Sequence, residues 1–381
     1  MLQDADLDAA VSEGILTAEQ ATALRGLAQR RERERAIELG HEERFRFIRG
    51  FNDVFFSIGV LLFIGGFAYF MLPRTAFGLA ITAAVAWLLA ELLVARLRLV
   101  LPGILLACAF VAFVFAASIQ LPVESWLGMQ VQFRRAPSAI SFLQALQYYP
   151  GGPLMFAARA LVAAAAAGLF YWRFKLPFAL LPLAASLVVA AIGVASFIVP
   201  QAAVSDTVVL LLCGLGVFAA AMSFDASDRE RLTRRADCAF WLHLLAAPLI
   251  VHSVISLVAL PLAGTLRRPG GPLAPDMGAA LALAVILVVA LLAIVAVLID
   301  RRGLLVAGLA YLGAAIGYAL TSSGLRTDPS FVLAATLVIL GAFVLTLGTG
   351  WVPLRRLLLR LVSPAISNRL PPVPRTLVAR S

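Results

Sequence analysis

Charge, lysine and cysteine are all scarce in this chain of 381 residues. Charged side chains make up 14% of it, lysine occurs once, as Lys175, and cysteine occurs three times. Soluble domains average about 25% charged and about 45–50% apolar residues, so the 62% hydrophobic content found here excludes an ordinary soluble domain. The cysteines show no CxxC spacing, and we interpret them as small apolar side chains rather than as a disulfide framework.

The short motifs that identify many enzymes from sequence are also missing. The chain contains no GxxxxGK[ST] phosphate loop, no HExxH zinc motif and no GxSxG nucleophile elbow. His, Cys and Asp residues do not cluster with the spacing of metal ligands. We therefore predict a protein that is not an enzyme and that uses neither a cofactor nor a metal.

Long apolar segments are what the chain has in abundance, and its mean hydropathy is +0.95. A helix needs about 20 consecutive apolar residues to cross the hydrocarbon layer of a bilayer. The segments are continuously apolar rather than alternating, which predicts helices and excludes a β-barrel. The predicted fold is an all-α polytopic transmembrane bundle of about ten spans. Their approximate bounds are 53–72, 75–95, 100–120, 154–172, 176–198, 207–224, 238–262, 278–298, 303–321 and 331–350.

The basic residues between these spans alternate in density. One side would carry 24 of the 31 basic residues and the opposite loops six, with Arg159 inside a helix. The positive-inside rule then places both termini in the cytoplasm, as an even number of spans requires. Residues 1–50 lack the apolar core of a cleavable signal peptide, so we expect a multi-pass protein of a bacterial inner membrane. The basic residues lie at helix ends rather than on one stripe, which argues against nucleic-acid binding.

The sequence divides into three parts: a cytoplasmic helical hairpin with a charged linker helix (1–50), the transmembrane bundle (51–351), and an amphipathic basic segment with a disordered tail (352–381). In the hairpin, Gly14 is placed as a helix C-cap, and Thr17-Ala-Glu-Gln20 fits a capping box. A two-helix hairpin alone buries little apolar surface. Two hypotheses remain open: a solvated link to the membrane, or a docking surface used for self-association.

Two histidines, His243 and His252, are the most informative polar residues because both lie in the seventh span. Nine residues of helix separate them, which puts them on opposite faces with a rise of roughly 13.5 Å. Pro248 lies between them and is expected to kink the helix. Side chains on opposite faces do not ligate one metal or haem, so we predict no such site.

Glu91, in the second span, is expected at a depth similar to that of His243. Ionisable groups inside a membrane are costly and are functional candidates by default. One hypothesis is a Glu91–His243 contact that relays protons. The alternative is that Glu91 reaches Arg96 and Arg98, while His243 bonds backbone or a Ser/Thr hydroxyl. The charged residues of the 225–237 loop are interpreted as a solvated face.

Three weaker candidates complete the set of polar residues within the spans. Arg159, near the start of the fourth span, is interpreted as an anchor in the outer headgroups. Tyr311 and Tyr318 share one face of the ninth span, beside the small-residue motif Gly313-x-x-x-Gly317. Such a motif lets helices approach closely, so packing and the lining of a permeation path are the two interpretations.

Two stretches carry a resemblance to known proteins: Gly14-Ile-Leu-Thr-Ala-Glu-Gln-Ala21, and the run from Phe224-Asp-Ala-Ser-Asp-Arg-Glu through Trp241-Leu-His-Leu-Leu-Ala-Ala-Pro-Leu-Ile-Val-His252. The chain resembles a family of predicted bacterial multi-pass inner-membrane proteins with an N-terminal cytoplasmic hairpin and no assigned function. The hairpin itself is similar to small bacterial oligomerisation modules. The resemblance implies no substrate and transfers no catalytic residue.

Two classes of function are compatible with this sequence. One is a permease-like transporter of a small solute or lipid, favoured by the span number, the prolines within spans and the His/Glu set. The other is a non-transporting membrane scaffold or sensor that acts through its N-terminal hairpin. A central polar cavity that reaches both His243 and Glu91 would favour transport, and a solidly packed bundle would favour the scaffold.

Overall fold

A computed structural model describes residues 7, 10–27, 51–71, 75–126, 151–198, 203–228, 231, 233–266, 275–322, 328–362 and 370. Within these ranges the regular secondary structure is helical and contains no strand. Most of the helices are long and strongly apolar. The predicted fold class, an all-α polytopic helix bundle, is confirmed.

We number the longer helices of the bundle α1 to α11 in chain order. A π-helical turn, Glu91–Arg96, extends α2, a short helix at Val123–Trp126 follows α3, and a 3₁₀ turn at Pro177–Ala179 precedes α5. The helices are α1 Phe51–Phe70, α2 Ala76–Ala90, α3 Leu101–Gln120, α4 Gly152–Phe174, α5 Leu180–Ile198, α6 Ala203–Ser227, α7 Arg234–Leu266, α8 Pro275–Ile299, α9 Gly303–Ser322, α10 Pro329–Thr349 and α11 Trp351–Leu361.

The first ten helices coincide with the ten predicted spans. In the described part of the chain, nine of them are long and apolar enough to cross a membrane. The exception is α8, in which the stretch that meets the apolar criterion is the shorter segment Val285–Ile299. The chain is therefore an integral membrane protein, and the crossing of the membrane by α8 stays a prediction.

Helices that follow one another in sequence pack as antiparallel hairpins: α2 with α3, α4 with α5, α6 with α7 and α8 with α9. Gly193 shows how close one of these contacts is. A Cβ atom there would lie 2.8 Å from the carbonyl oxygen of Pro153 and 2.9 Å from the Cβ of Ala157. The absence of a side chain therefore lets α5 lie directly against α4.

Large apolar side chains cover much of the outer surface of the bundle. In α1, Phe55 is 64% exposed and Leu62 is 72% exposed, while α10 contains no buried residue. Exposing these apolar side chains to water would cost free energy, whereas lipid tails are equally apolar and can cover them without further protein packing. The exposed apolar surface thus agrees with the length and composition of the helices.

Four turns lie together at one end of the bundle, which we call the basic end. They carry Arg98, Lys175, Arg231 and Asp300, each with a positive φ between 51° and 58°. A left-handed residue just after a helix reverses the chain sharply. For a residue other than glycine, that conformation costs roughly 1–2 kcal/mol. Neighbouring structure must hold these residues in place, and at Arg231 and Asp300 it does so through buried ion pairs.

The described part of the N-terminal hairpin forms the predicted caps. The Thr17 amide donates to Oε1 of Gln20 at 2.9 Å, and the Gln20 amide donates to Oγ1 of Thr17 at 3.2 Å. Gly14 has a φ of +73°, which glycine adopts without strain. The linker helix predicted within 28–50 and most of the predicted tail, 363–369 and 371–381, lie outside the described residues.

Candidate functional site

Buried charged side chains gather at the basic end of helices α6 to α11. Each is at most 7% exposed, although charged residues inside a membrane protein are expensive to bury. They come from the end of α6, from the α6–α7 loop, from α7, from the turn between α8 and α9, and from α11. We call this group the buried charge cluster, and its members are Asp225, Arg231, His243, Asp300, Arg301 and Arg355.

Asp225 is the first of two carboxylates around which the cluster is built. Its Oδ2 accepts a hydrogen bond from Nε2 of His243 at 2.9 Å and another from Nε of Arg301 at 3.2 Å. Its Oδ1 accepts from Nη2 of Arg301, so the guanidinium binds the carboxylate through two nitrogens. The same Nη2 donates to the carbonyl oxygen of Ala236 in α7 at 3.1 Å. Arg301 therefore ties the α8–α9 turn to both α6 and α7.

His243 is 1% exposed, and its second ring nitrogen is left unsatisfied. Because the carboxylate of Asp225 only accepts, Nε2 carries the hydrogen of that bond. Nδ1 is buried and has no hydrogen-bond partner among the described residues. The ring of Phe218 packs edge-on against the imidazole with centroids 5.2 Å apart. The neutral imidazole thus has one position at which a proton can be added.

Asp300 is the second carboxylate. Its Oδ1 accepts from Nε1 of Trp351 at 2.7 Å, and its Oδ2 lies 3.4 Å from Nη1 of both Arg231 and Arg355. Arg231 also donates to the carbonyl oxygen of Ile299 at 2.9 Å. Burial lowers the pKa of the Arg355 guanidinium from its ordinary value, and the charge of Asp300 opposes that shift. This centre joins the α6–α7 loop and α11 to the α8–α9 turn.

Adjacent residues of one turn thus serve two different carboxylate centres. Asp300 belongs to the second centre, whereas Arg301 reaches back to Asp225. Gly303 allows the turn to pack tightly, because a Cβ there would lie 3.1 Å from the ring of Phe240. A two-residue sequence therefore connects α6, α7 and α11.

The buried charges at this end of the bundle are of both signs. The three arginines of the cluster face two aspartates, and a third buried carboxylate, Asp228, lies in the same α6–α7 loop, where it accepts hydrogen bonds from Thr233. Each buried charge carries a desolvation penalty of several kcal/mol, and a well-packed apolar core is often as stable as a buried ion pair. Because burying these charges costs so much free energy, the cluster is the strongest candidate for a functional site in the described part of the chain.

The sequence hypotheses for Glu91 and His243 named other partners. Glu91 accepts from Nη2 of Arg173 at 2.6 Å, in a partly exposed pair between the end of α2 and the end of α4. It does not contact His243, whose partner is the carboxylate of Asp225. The loop charges interpreted as a solvated face include the buried residues Asp225, Asp228 and Arg231, so that interpretation was wrong for these three. Arg234 and Arg235 are exposed, as it predicted.

His252 lies on the other side of α7, away from the buried charge cluster, and meets one of the candidate tyrosines. Its Nδ1 is 2.8 Å from the hydroxyl oxygen of Tyr311 in α9. Tyr318 is 38% exposed, and Thr336 of α10 lies within 3.9 Å of the Cβ position at both Gly313 and Gly317. The small-residue motif therefore provides a packing contact between α9 and α10.

Whereas its role as an anchor in the headgroups stays a prediction, Arg159 is buried within the protein and bonds the end of α3. It is 5% exposed, and it donates to the carbonyl oxygens of Ile119 at 3.0 Å and Leu121 at 3.4 Å. These carbonyls belong to the C-terminal end of α3, where backbone acceptors lack helical partners and a cation is favourable. Arg159 thus caps α3 in the described structure.

Two cavities lie at opposite ends of the α2–α3 hairpin. One has a volume of about 600 Å³ and is lined by the far ends of α1 to α3, including Tyr69, Thr82 and Gln120. The other, which we call the basic-end cavity, has a volume of about 550 Å³ and is bounded by α2 with its π-helical turn, α3, α4, the turn before α5, and α7. Neither cavity is lined by His243 or Glu91, so neither is the central cavity that the transport hypothesis anticipated.

Helix α7 separates the basic-end cavity from the buried charge cluster. Arg234, Asp237 and Trp241 line the cavity and share one helical face. His243 follows Trp241 by two residues and points to the opposite face, where it meets Asp225. A change in the cluster can therefore reach the cavity by movement of a single helix.

Sequence reasoning found His243 but missed the acid and the arginine bound to it. Asp225 was hidden because it stands two residues before the end of α6, where a surface charge is ordinary. Arg301 was counted only as a topology signal. A usable signal was the presence of acids, Asp225 and Asp300, directly beside arginine-rich turns on the basic side of the spans.

Among the described residues, no group of three or more His, Cys, Asp and Glu side chains is arranged to hold a metal ion. Comparisons with protein-family models, with curated proteins and with solved structures find no match to this chain.

Proposed function

We propose that the protein is a permease-like transporter of a small solute or lipid, in which protonation of His243 is coupled to movement of α7. The observation that supports this most is the position of α7, with the buried charge cluster on one face and the basic-end cavity on the other. The N-in, C-in orientation in a bacterial inner membrane, and the family resemblance, belong to the same proposal. The basic turns at one end of the bundle support that orientation.

Histidine suits a coupling role because its ordinary pKa, about 6.5, is the closest to neutrality among the side chains. The charged groups that face His243 are Asp225 from α6, Arg301 from the α8–α9 turn and Arg231 from the α6–α7 loop. A proton on Nδ1 creates an imidazolium that competes with Arg301 for the single carboxylate of Asp225. At about 4 Å and an effective dielectric constant of about 20, one such charge interaction amounts to about 4 kcal/mol.

An energy of about 4 kcal/mol changes a conformational equilibrium by about a thousandfold. Release of Arg301 from Asp225 also breaks its bond to the carbonyl oxygen of Ala236, and so frees the α8–α9 turn from α7. Pro248 interrupts the backbone hydrogen bonds of α7 and supplies a pivot between its two halves. The half of α7 before the pivot carries Arg234, Asp237 and Trp241, so its movement changes the wall of the basic-end cavity.

The proposal can be tested on the full-length protein in liposomes adsorbed to a solid-supported membrane. Panels of amino acids, sugars, organic acids and nucleosides are applied as solutes at about pH 6 and about pH 8. We expect a pH-dependent transport current with at least one panel. The current should disappear in His243→Gln and persist in His252→Gln, which changes a histidine of the same helix outside the cluster. Currents that are unaffected by His243→Gln would contradict the coupling role.

The scaffold hypothesis has one observation in its favour, which is the apolar surface of the hairpin. Ile15 is 70% exposed, Leu24 is 40% exposed and Leu27 is 48% exposed. Self-association through this face would cover these side chains. Size-exclusion chromatography with light scattering on full-length protein tests it. If the hairpin mediates self-association, Leu24→Asp should reduce the oligomeric mass, and an unchanged mass would exclude this face as the interface.

A further inference from the structure

The basic-end cavity concentrates positive charge at the rim of the bundle. Four cationic side chains and one carboxylate, that of Asp237, line it. The cations come from three separate segments that the fold brings together: the α2–α3 turn, the end of α4 with its turn, and the start of α7. They are Arg98, Arg173, Lys175 and Arg234.

Two of these cations are available to bind an external anion. Arg98 and Arg234 are exposed and make no hydrogen bond or ion pair with other described residues. Arg173 is shared with Glu91, and Lys175 lies over the ring of Tyr171 at 5.7 Å. Arg98 and Lys175 occupy left-handed positions that cost energy, and the carboxylates of Asp237 and Glu91 balance only part of the positive charge around the cavity. An anion in the cavity would balance the remaining positive charge.

The depth of the cavity is apolar. Trp241 and Phe178 pack edge to face with ring centroids 4.8 Å apart, and Phe174 lines the same cavity. The ring of Phe174 lies 5.1 Å from the ring of Trp87. Trp87 in turn lines a cleft of about 630 Å³ between α2 and α4, over α3. The charged cavity and the cleft are therefore separated by one pair of aromatic rings.

The cleft has the character of a site for hydrocarbon. Its lining is almost entirely aliphatic or aromatic and includes Leu88, Val162 and Leu169, each between 44% and 66% exposed. These side chains belong to spans and face outward, where the bilayer is the solvent. A molecule with an anionic head and a long apolar tail matches the cavity and the cleft together, whereas a free anion would leave the cleft unused.

We propose that the basic-end cavity binds the phosphate-bearing headgroup of an anionic phospholipid, with an acyl chain of that lipid lying in the α2–α4 cleft. The guanidinium groups of Arg98 and Arg234 hold the phosphate through charge-assisted hydrogen bonds, and Lys175 adds a point charge. The inference goes beyond the proposed transport function, because the binding does not depend on whether any molecule is carried across the membrane.

Native mass spectrometry of the full-length protein in a non-ionic detergent tests the binding directly. Dioleoyl phosphatidylglycerol is titrated against the wild type and against the double variant Arg98→Gln/Arg234→Gln. Each cation near the lipid phosphate contributes about a fivefold gain in affinity, so we expect the double variant to lose at least about tenfold. Dioleoyl phosphatidylcholine, which carries no net charge, should bind the wild type weakly.

The matched control is Arg96→Gln/Arg235→Gln. These two exposed arginines lie next to the cavity residues in the same segments but do not line the cavity. The control removes the same charge and should retain wild-type binding. Equal losses in both double variants would overturn the proposal, because binding would then follow net charge alone. Unchanged binding in both would overturn it as well.

Two further arms keep the test decisive. Thermal unfolding of each variant identifies a loss of fold, and in that case Lys175→Gln replaces the double variant, with an expected loss of about fivefold. Inorganic phosphate is the second arm. If millimolar phosphate displaces the lipid from the wild type and Leu88→Trp in the cleft leaves lipid binding unchanged, the site binds soluble anions and the lipid proposal is wrong.

Discussion

At the basic end, the ion pairs of the two halves of the bundle differ in exposure, although each half buries at least one carboxylate: Asp53 in α1, and Asp225 and Asp300 in the second half. In helices α1 to α5 and their turns, the ion pair between Glu91 and Arg173 is partly exposed, and Arg98 and Lys175, which line the basic-end cavity together with Arg234 of α7, are exposed. In helices α6 to α11, Asp225 and Arg301 are closed into the interior, and so is the second centre at Asp300. At this end, the first half presents exposed cations to ligands, whereas buried ion pairs join the helices of the second half.

The cores of the two halves differ correspondingly. The α1–α5 half has one large apolar core, in which rings such as Trp87, Phe110 and Phe170 contact one another. The apolar clusters of the α6–α11 half are smaller, and buried ion pairs connect its helices at the basic end. A further small cluster, Phe156, Val188 and Ile192, belongs to α4 and α5 and packs against α6 and α7. Apolar packing holds helices together at any pH, whereas an ion pair beside a histidine does not. A proton-sensitive element is therefore expected in the α6–α11 half, where an ion pair lies beside His243.

The largest expected effect comes from removing one partner of a buried pair in the second half. Arg301→Met leaves Asp225 without its guanidinium in the interior, and we expect a loss of about 3–5 kcal/mol in the free energy of unfolding. Unfolding in mixed micelles measures it. Arg302→Met is the control, because that exposed residue only stacks on Trp351 at 5.3 Å and should lose about 1 kcal/mol or less.

The next effect belongs to the apolar core of the first half. Leu106 is 0% exposed, so Leu106→Ala should cost about 2–5 kcal/mol through lost burial and the cavity left behind. The same unfolding assay at about pH 6 and about pH 8 should give an equal loss, because no titratable group is involved. A loss that varied strongly with pH would contradict the prediction that packing in the first half is independent of pH. Leu88→Ala, at a lipid-facing position, should be far milder.

A smaller effect is expected at the second carboxylate. Trp351→Phe keeps the aromatic packing but removes the N–H that donates to Asp300 at 2.7 Å. A hydrogen bond to a charged acceptor is worth about 1.5–3 kcal/mol, and the loss should fall in that range. If the variant is as stable as the wild type, Asp300 does not depend on this bond and the cross-linking role of α11 is weaker than described.

The smallest effect is expected from the exposed pair of the first half. Glu91→Gln should change the free energy of unfolding by less than about 1 kcal/mol, because solvent screens the pair and its side chains lose entropy on pairing. Asp225→Asn makes the same chemical change in the second half and should cost several times more. If the two variants lose similar free energies of unfolding, the exposed and the buried ion pair do not differ in their contribution to stability.

Much of the fold follows from the sequence, because span length and apolar continuity are local properties. The bounds of α1 to α10 lie close to the predicted spans, and the hairpin caps at Gly14 and Thr17 form as their residue types predict. Helical periodicity also placed His243 and His252 on opposite faces of α7. These features depend only on neighbours within one or two helical turns.

The buried charge cluster could not be predicted in the same way. Asp225 and Arg301 are 76 residues apart in sequence, and Arg231 and Asp300 are 69 apart. Periodicity does not say which helices become neighbours, so a charge near a helix end is indistinguishable from a surface charge until the turns are assembled. His243 stood out only because its surroundings in sequence are apolar.

The most direct test of the coupling role of α7 is a distance measurement between spin labels. Labels are attached to Trp172→Cys at the end of α4 and to Arg235→Cys at the start of α7, after replacement of Cys108, Cys213 and Cys238 by alanine. Electron–electron double resonance is recorded at about pH 5.5 and about pH 8. We predict two distances whose populations shift between the two pH values, and a single pH-independent distance in His243→Gln. One unchanged distance at both pH values without the His243 substitution would contradict the account.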